Sequence, residues 1–414
     1  MTDRRVRALF VNDTARNGGP GRTLYTTLKY LDPELVHRTV IVPRRGVVSE
    51  LIEDGGVCER LETEPLIVEN PFAPWTREMV RTDFDAPRPV KAVRAVGNVG
   101  LGTACVLRLA ARARAHDVVF CNGTTANFFG GIMARVFGAR AIWHVFYTEV
   151  AAPLVRLHRF LAESPRVGAI LCVSKPTTVQ FAGLGPKVVH MHDAIDTDDY
   201  APGGAGVLRA ELGLGPDVVV FGSQGRILRR KGFLELVEVA RVVLSKLSEP
   251  ERARCRFVVL GDTPEDMEVD HLAECRARVR ELGLEDRVHF LGYRPDVRPY
   301  VSDFDAAIIP SVYPDPLPRS VMESMSMEKP VLAFDVGGIG EMVETGVSGA
   351  LAKGDPPDLE GMADACVAYV RDAELRRRHG RAARARVERD YGARAHSKAI
   401  QDVILRVARG ALPV

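Results

Sequence analysis

The chain contains 414 residues, of which 46% are hydrophobic and 27% are charged, and its formal net charge is +2. This length predicts two domains, or three, and the apolar fraction excludes a disordered or fibrous protein. The near-neutral charge excludes nucleic acid as the main partner, and the lack of any apolar run of about 18 residues excludes a membrane-spanning helix.

The cysteines and the first residues indicate the compartment. Seven cysteines are scattered without a Cys-x-x-Cys pair, which is typical of a reducing cytosol and argues against disulfides or a structural zinc. The first apolar stretch breaks at Asn12 and Asp13, which is too early for a secretory signal. We therefore expect a cytoplasmic protein.

Short apolar runs alternate with helical segments along the whole chain. Each run is β-branched or apolar nearly throughout, as strands of a parallel sheet covered on both faces should be. The runs occupy residues 6–11, 39–42, 117–121, 141–146, 168–173 and 187–191, and then 217–222, 256–261, 287–292, 305–310 and 330–335. This alternation predicts two doubly wound α/β domains.

The seam between the two domains is predicted at residues 197–216, where glycine, proline and acidic residues leave little to bury. We expect an N-terminal Rossmann-like domain over 1–200 and a C-terminal Rossmann-like domain over 201–390. Residues 391–414 are expected to form a helix that packs back on the N-terminal domain.

Residues 88–114 carry six cations and no acid. This stretch is either a solvated helix face or a patch that contacts an anionic acceptor or an anionic membrane surface. The cations are Arg88, Lys91, Arg94, Arg108, Arg112 and Arg114.

A glycine-rich turn follows the first predicted strand. Gly18, Gly19 and Gly21 let the backbone approach a ligand, and the next helix directs its N–H groups at negative charge. The spacing differs from the G-x-G-x-x-G fingerprint, so a nicotinamide cofactor is disfavoured.

A cationic block, Gly225–Gly232, follows the first strand of the second domain. It places four cations in six residues before a helix, although the amino end of a helix prefers anions. A docked diphosphate explains the pattern, with Arg226 as a bidentate donor and Lys231 as a point charge. The alternative is a solvated surface.

Two carboxylates follow the strand that ends at Pro310. Asp315 lies in a proline-rich loop, and Pro318 is expected at the first position of a helix. Glu323 lies on that helix among apolar residues, where a carboxylate needs a partner such as a ribose diol or a pair of sugar hydroxyls.

These residues resemble the pattern of the family-4 retaining glycosyltransferases, which have the GT-B fold of two Rossmann-like domains facing a deep cleft. The family shows two glutamates eight positions apart, then Pro-Val, Gly-Gly and a further Glu, and a Gly-Arg…Lys-Gly block upstream. The present chain matches this pattern in order, with an aspartate as the first carboxylate, and the resemblance covers nearly its whole length. The matching residues are Gly225, Arg226, Lys231, Gly232, Asp315, Glu323, Pro330, Val331, Gly337, Gly338 and Glu341.

The resemblance implies a role for each matching residue. Arg226 and Lys231 would neutralise the donor diphosphate in place of a metal, so that no cofactor is needed. Glu323 would hold the nucleotide ribose, Asp315 would hold hydroxyls of the transferred sugar, and His144 would lie near that sugar. The catalytic set would then be His144, Arg226, Lys231 and Asp315. The donor-binding set would be Gly18, Gly19, Arg226, Lys231, Gly292, Tyr293, Arg294, Asp315, Leu317, Pro318, Arg319, Ser320 and Glu323.

The chain departs from the family pattern at the sugar subsite. Asp315 stands where the family has glutamate, and two prolines stiffen its loop and remove N–H donors. The usual Asn-Gly before the linker is Asp193-Ala194.

The function predicted from this resemblance is a retaining, metal-independent hexosyltransferase that uses a nucleotide-diphosphate sugar, with UDP favoured by its frequency in the family. The acceptor would be a small molecule, a glycan or a lipid and would bind to the N-terminal domain, whereas the donor would bind to the C-terminal domain. The alternatives are a catalytically silent sugar-nucleotide-binding subunit, a non-hydrolysing sugar-nucleotide epimerase and, least favoured, a nicotinamide dehydrogenase.

Overall fold

The computed structural model describes residues 4–15, 18–67, 88–204, 206–264, 267 and 269–413. The chain forms two compact units: unit 1 comprises Met1–Ala194 and Ala393–Val414, and unit 2 comprises Ile195–Gly392. Within the described residues, no helix combines the length and the apolar character that a bilayer span requires.

Unit 1 is built on a parallel sheet of seven described strands in the order β3-β2-β1-β4-β5-β6-β7. Its strands are β1 (Val6–Asn12), β2 (Val36–Val42), β3 (Arg60–Thr63), β4 (Val118–Asn122), β5 (Ala141–Val145), β6 (Val167–Cys172) and β7 (Val188–His190). Its helices before the second unit are α1 (Gly19–Tyr30), α2 (Val47–Asp54), α3 (Arg88–Ala113), α4 (Thr124–Val136), α5 (Val155–Ala162) and α6 (Lys175–Thr178).

Unit 2 repeats the arrangement with a parallel sheet of six described strands in the order β10-β9-β8-β11-β12-β13. Its strands are β8 (Val219–Gln224), β9 (Cys255–Leu260), β10 (Val288–Phe290), β11 (Ala306–Ile309), β12 (Val331–Asp335) and β13 (Gly349–Lys353). Its helices are α7 (Val207–Leu212), α8 (Phe233–Lys246), α9 (Glu249–Ala253), α10 (His271–Glu281), α11 (Arg298–Val301), α12 (Arg319–Ser326), α13 (Ile339–Met342), α14 (Leu359–Arg371) and α15 (Ala373–Asp390).

The last helix, α16 (Ala393–Ala408), belongs to unit 1. Ile400, Val403, Ile404 and Val407 recur at helical spacing and lie in the same core cluster as the strand residues of the unit 1 sheet. Burial of this stripe holds the helix on the sheet, because each buried aliphatic side chain contributes about 1.5–3 kcal/mol.

The predicted doubly wound α/β class is confirmed, but two strands were missed. β3 and β13 each lie at one edge of their sheet, and most of their residues are half-buried or exposed. An edge strand is covered less completely than a central one, so neither segment has the continuous apolar run by which the central strands are recognised.

The segment predicted as the seam, 197–216, lies within unit 2. This segment contains α7, whose Leu208 is fully buried. Arg209 of α7 donates hydrogen bonds to the backbone of Gly215 and Val218 and to the Asp305 carboxylate, so the helix is fastened to unit 2. The segment looked unstructured because its glycines flank a helix of only six residues.

Candidate functional site

In doubly wound sheets, ligands bind beyond the carboxyl ends of the strands, and in unit 2 three glycine turns lie there. Gly225, Gly261 and Gly292 follow β8, β9 and β10, and all three have positive φ angles. The N–H of Gly261 donates to the carbonyl of Gly292, and a Cβ added to Gly261 would lie 1.9 Å from the carbonyl oxygen of Gly225. The three turns therefore form a tightly packed backbone floor.

The cationic block begins at Gly225, in the first of these turns, and leads into α8. Ile227 and Leu228 are buried and anchor it, whereas Arg226 is exposed. A single 3-10 turn carries Lys231, and Gly232 then adopts φ +74 before α8 begins. A Cβ at Gly232 would lie 1.8 Å from the carbonyl oxygen of Pro310, so the block packs against the end of β11.

This packing places Lys231 against Asp315. Its Nζ donates to Asp315 Oδ2 at 2.5 Å, and the side chains are 21% and 6% exposed. Ser311 Oγ also donates to Oδ2, at 3.3 Å. Burial lowers the pKa of Lys231, but Asp315 and Tyr313 outweigh it, so that the pKa lies above its ordinary value. Lys231 is thus held as a cation beside the predicted sugar-binding carboxylate.

The loop after β12 fixes the backbone of Asp315. The N–H of Gly338 donates to the Asp315 carbonyl at 2.8 Å. Gly337 has φ +58, and a Cβ there would lie 2.2 Å from the same carbonyl oxygen. The Gly-Gly pair in the sequence thus supports the loop that carries the carboxylate.

The second carboxylate, Glu323, is buried on α12 as predicted, with 8% of the residue exposed. The Tyr200 hydroxyl donates to Glu323 Oε1 at 3.3 Å, and Arg319 Nε lies 3.7 Å from the same oxygen. Pro318 is the N-cap residue of α12, one position before the predicted one. Leu317 and Pro318 are buried, and Arg319 and Ser320 are partly accessible.

Sequence analysis missed Gln224, the last residue of β8. Its side chain is 6% exposed, and Nε2 donates to Ser324 Oγ at 3.1 Å and to the Ser320 carbonyl at 3.3 Å. Gln224 therefore links the end of β8 to α12. An amide that ends an otherwise apolar strand is the signal that could have identified it.

Gly292, Tyr293 and Arg294, which the resemblance assigns to the donor-binding set, lie at the same end of the sheet. Tyr293, directly after the Gly292 turn, is 52% exposed. Arg294 pairs with Glu211 at 2.7 Å and lies over the Tyr300 ring at 5.2 Å. The Tyr293 ring is therefore accessible, whereas the Arg294 guanidinium already has protein partners.

In unit 1, α1 begins at Gly19 with Gly18 as its N-cap residue. Gly18 has an extended backbone, and no described atom lies within 4 Å of a Cβ built there. Arg16 and Asn17 lie outside the described residues. Neither backbone strain nor crowding by described atoms requires glycine at position 18.

His144 lies in β5 and is 1% exposed. Its ring centre is 4.2 Å from that of Phe146 and 5.6 Å from that of Phe120, and burial holds its pKa well below the ordinary value. His144 is therefore a neutral imidazole within unit 1. Gly18 and Gly19 follow β1, which β4 separates from β5 in the sheet.

Part of the predicted basic patch at 88–114 is balanced by acids. Arg112 contacts Glu62 and Glu64, at 3.1 and 2.6 Å, and Arg108 contacts Glu64 at 2.9 Å. The stretch itself contains no acid, but these two arginines pair with acids from the distant segment around β3. The side chains of Arg88, Lys91 and Arg94 lie outside the described residues.

Two Asp-x-Asp pairs within the described residues, Asp196/Asp198 and Asp303/Asp305, have structural partners. Asp196 Oδ1 accepts from the N–H of Asp198, and Asp303 Oδ2 accepts from the N–H of Arg209. Asp305 Oδ2 accepts from Arg209 and from the backbone of Val220. These contacts fasten turns and α7.

A family model described as "Glycosyl transferases group 1" matches residues 215–372, which are most of unit 2. This segment of the chain is similar to the group 1 glycosyl transferases. The match includes the cationic block, the Asp315 loop and α12, and it confirms the resemblance seen in the sequence. It does not favour the epimerase or the silent binding subunit.

Curated proteins that are similar to this chain have different named activities. Alpha-maltose-1-phosphate synthase of Mycobacterium tuberculosis is 32% identical over 222 residues, which are 51% of this chain and 55% of the relative. D-inositol 3-phosphate glycosyltransferase of Nocardia farcinica is 34% identical over 54% of this chain and 48% of the relative. The alignments thus span about half the length of these proteins.

Solved structures with a similar fold cover both units of the chain. Alr3699/HepE of Anabaena, in complex with UDP and glucose, has a TM-score of 0.77 at 20% identity, covering 96% of this chain and 98% of that one. Sucrose-phosphate synthase of Thermosynechococcus elongatus has a TM-score of 0.71 at 16% identity, covering 98% of this chain and the whole of that one. The chain has the GT-B fold.

Proposed function

We propose that this chain transfers a hexose, with retention of anomeric configuration, from a nucleotide-diphosphate sugar to an acceptor bound by unit 1. The observation that carries the proposal is that Lys231, in the block after β8, pairs with Asp315, in the loop after the neighbouring strand β11. Arg226 belongs to the same block, Glu323 lies on the helix after that loop, and all four residues lie inside the segment matched by the family model. A UDP-sugar is the favoured donor, and the related fold of Alr3699/HepE holding UDP-glucose supports this choice.

The cations of the Gly225–Gly232 block bind the donor diphosphate. Arg226 is exposed beside the glycine floor, and Lys231 is kept charged by Asp315. Two fixed cations neutralise a diphosphate as a divalent metal would, so the reaction is expected to be metal-independent. Glu323 accepts the ribose hydroxyls, and Asp315 accepts hydroxyls of the sugar.

The transfer follows from this charge distribution. The bond between the anomeric carbon and the β-phosphate oxygen breaks while the acceptor oxygen bonds to that carbon on the same face. The acceptor hydroxyl proton passes to the departing phosphate. Arg226 and Lys231 stabilise the negative charge that grows on the diphosphate, and this stabilisation lowers the barrier.

A thermal-shift panel tests the donor site. UDP, GDP, ADP, UDP-glucose, UDP-N-acetylglucosamine, GDP-mannose and NAD are each added to the wild type, Arg226→Ala and Lys231→Ala, with and without EDTA. A nucleotide at about 100 times its Kd adds about 2.7 kcal/mol to the free energy of unfolding. We expect one uridine nucleotide to stabilise the wild type, both variants to lose the effect, and EDTA to change nothing.

The matched control is Arg229→Ala, because Arg229 is an exposed cation of the same block outside the proposed set. It should retain the shift. Equal loss in all three variants indicates a general charge effect, and stabilisation by NAD alone contradicts a sugar-nucleotide site.

A further inference from the structure

The loop that carries Asp315 also holds an aromatic ring against the cationic block of unit 2. Tyr313 is half-buried, and Lys231 Nζ lies over its ring at 5.4 Å from the ring centre. The guanidinium carbon of Arg230 lies over the same ring at 4.8 Å. A cation within about 6 Å of the centre of an aromatic ring is attracted by the negative face of that ring. Tyr313 is therefore a second attractive partner of Lys231, besides Asp315.

Backbone contacts fix the ring in this position. The N–H of Val312 donates to the Arg230 carbonyl at 3.0 Å, so the loop runs beside the block directly before Tyr313. The N–H of Asp315 donates to the Tyr313 carbonyl at 2.6 Å, which closes a three-residue turn around Pro314. Proline fixes φ near the value that the common form of such a turn requires. The two side chains that hold the lysine thus come from the two ends of one short turn.

The ring attracts the ammonium without cancelling its charge. Burial is the main cause that raises the pKa of the Tyr313 hydroxyl, so this side chain is neutral at pH 7. The formal charges of Arg230, Lys231 and Asp315 then leave the cluster at +1. A second carboxylate in place of the ring would hold the lysine equally well but would reduce this charge to zero. An aromatic ring therefore suits a lysine that must still attract an anion.

We propose that Tyr313 is a positioning residue of the donor site, whose ring acts with the Asp315 carboxylate to hold the Lys231 ammonium in place before a diphosphate binds. A lysine side chain is long and flexible, and fixing it in advance removes an entropic cost from binding. The diphosphate step rests on the proposed function, whereas the hold on Lys231 does not.

Lysine spectra of the ligand-free full chain test the hold on Lys231. The chain has nine lysines, so 1H–13C spectra of lysine-labelled protein contain few signals, and those of Lys231 are identified by their absence in Lys231→Arg. Protons over the face of an aromatic ring are shifted upfield. We expect upfield-shifted Cε protons of Lys231 in the wild type and in Tyr313→Phe, and ordinary positions in Tyr313→Leu. Ordinary positions in the wild type overturn the proposal, and this result does not depend on the folding of any Tyr313 variant.

Titrations with UDP, by calorimetry, and with uridine, by ligand-observed NMR, test the consequence for binding. Tyr313→Leu should raise the Kd of UDP about fivefold and leave that of uridine unchanged, because uridine has no phosphate for Lys231 to bind. Tyr313→Phe should bind both ligands as the wild type does, because it keeps the ring. An equal loss of UDP affinity in both variants assigns the effect to the hydroxyl and overturns the proposal. Equal weakening of UDP and uridine in Tyr313→Leu indicates a general disturbance of the loop and also overturns it.

The matched control is Tyr30→Leu in unit 1, because the Tyr30 ring also has a cation over it. The guanidinium carbon of Arg394 lies 4.7 Å from its ring centre. Tyr30→Leu should leave the Lys231 signals and the Kd of UDP unchanged. If UDP does not bind the wild type, the proposed donor fails, and the ligand-free lysine spectra still decide whether Tyr313 holds Lys231.

Discussion

Lys231 Nζ lies 2.5 Å from Asp315 Oδ2, so the proposed diphosphate-binding cation and the proposed sugar-binding carboxylate form an ion pair. The family pattern has a glutamate at the position of Asp315. The shorter side chain keeps its carboxylate beside the backbone that Gly337 and Gly338 support, within reach of Lys231. The pair gives the site a fixed arrangement of opposite charges.

Replacing Lys231 by methionine should reduce the free energy of unfolding by about 2–3 kcal/mol, because the buried Asp315 carboxylate loses its counterion. The double variant Lys231→Met/Asp315→Asn should recover part of the loss. Urea unfolding of the single and double variants measures the coupling. Strictly additive losses contradict a direct ion pair.

The contribution of Lys231 should also depend on pH. Its folded pKa is raised, so its stabilisation is complete below its ordinary pKa of about 10.4 and is lost as the pH rises through the folded value. The difference in the free energy of unfolding between the wild type and Lys231→Met should be constant from pH 7 to about 9 and smaller above about 10.5. Lys398→Met, at an exposed position, serves as the control.

Two glycines should respond differently to alanine. In Gly232→Ala the alanine must adopt φ +74, and its Cβ lies 1.8 Å from the Pro310 carbonyl oxygen. We therefore expect the free energy of unfolding to fall by about 2–4 kcal/mol. Gly18→Ala meets no described atom and should change stability by less than about 0.5 kcal/mol. If the Gly18 backbone approaches the donor, the alanine variant binds UDP-glucose more weakly at unchanged stability.

Glu323→Gln should weaken UDP binding by at least about tenfold, or 1.4 kcal/mol, because the ribose loses a charged acceptor. Tyr200→Phe is the matched variant, since the Tyr200 hydroxyl makes one long hydrogen bond to the same carboxylate. The Tyr200→Phe substitution should lower the free energy of unfolding by about 1 kcal/mol and leave the Kd of UDP unchanged. Calorimetric titration with UDP distinguishes the two variants. If the Kd of UDP is unchanged in both, Glu323 has a structural role and does not bind the ribose.

Glu64→Gln should destabilise unit 1 by about 1–3 kcal/mol, because Glu64 is fully buried and accepts from both Arg108 and Arg112. Arg112→Ala should likewise lower the thermal midpoint. The Arg112→Ala variant should sediment with phosphatidylglycerol vesicles to the same extent as the wild type, since this arginine is already paired with acids. Reduced sedimentation at an unchanged midpoint supports a membrane contact instead.

The candidate site was predictable where its residues follow central strands. Arg226 and Lys231 come after an apolar run, and Asp315 and Glu323 come after another, so the carboxyl-end rule places all four at one edge of a sheet. Gln224 was missed because its role depends on α12, which lies about a hundred residues away in sequence. Tyr200 was missed for the same reason, since it was assigned to the end of the first domain.

The sequence by itself determined the class of the fold and the segments that carry the site. Buried parallel strands must be apolar, and a turn that approaches a ligand must be rich in glycine, so both leave local patterns. Only the tertiary structure decided which charges meet. The Lys231–Asp315 pair joins residues 84 apart, and α16 returns to unit 1 to place His396 beside His144. Such contacts depend on the packing of distant elements, and packing leaves no local periodicity to read.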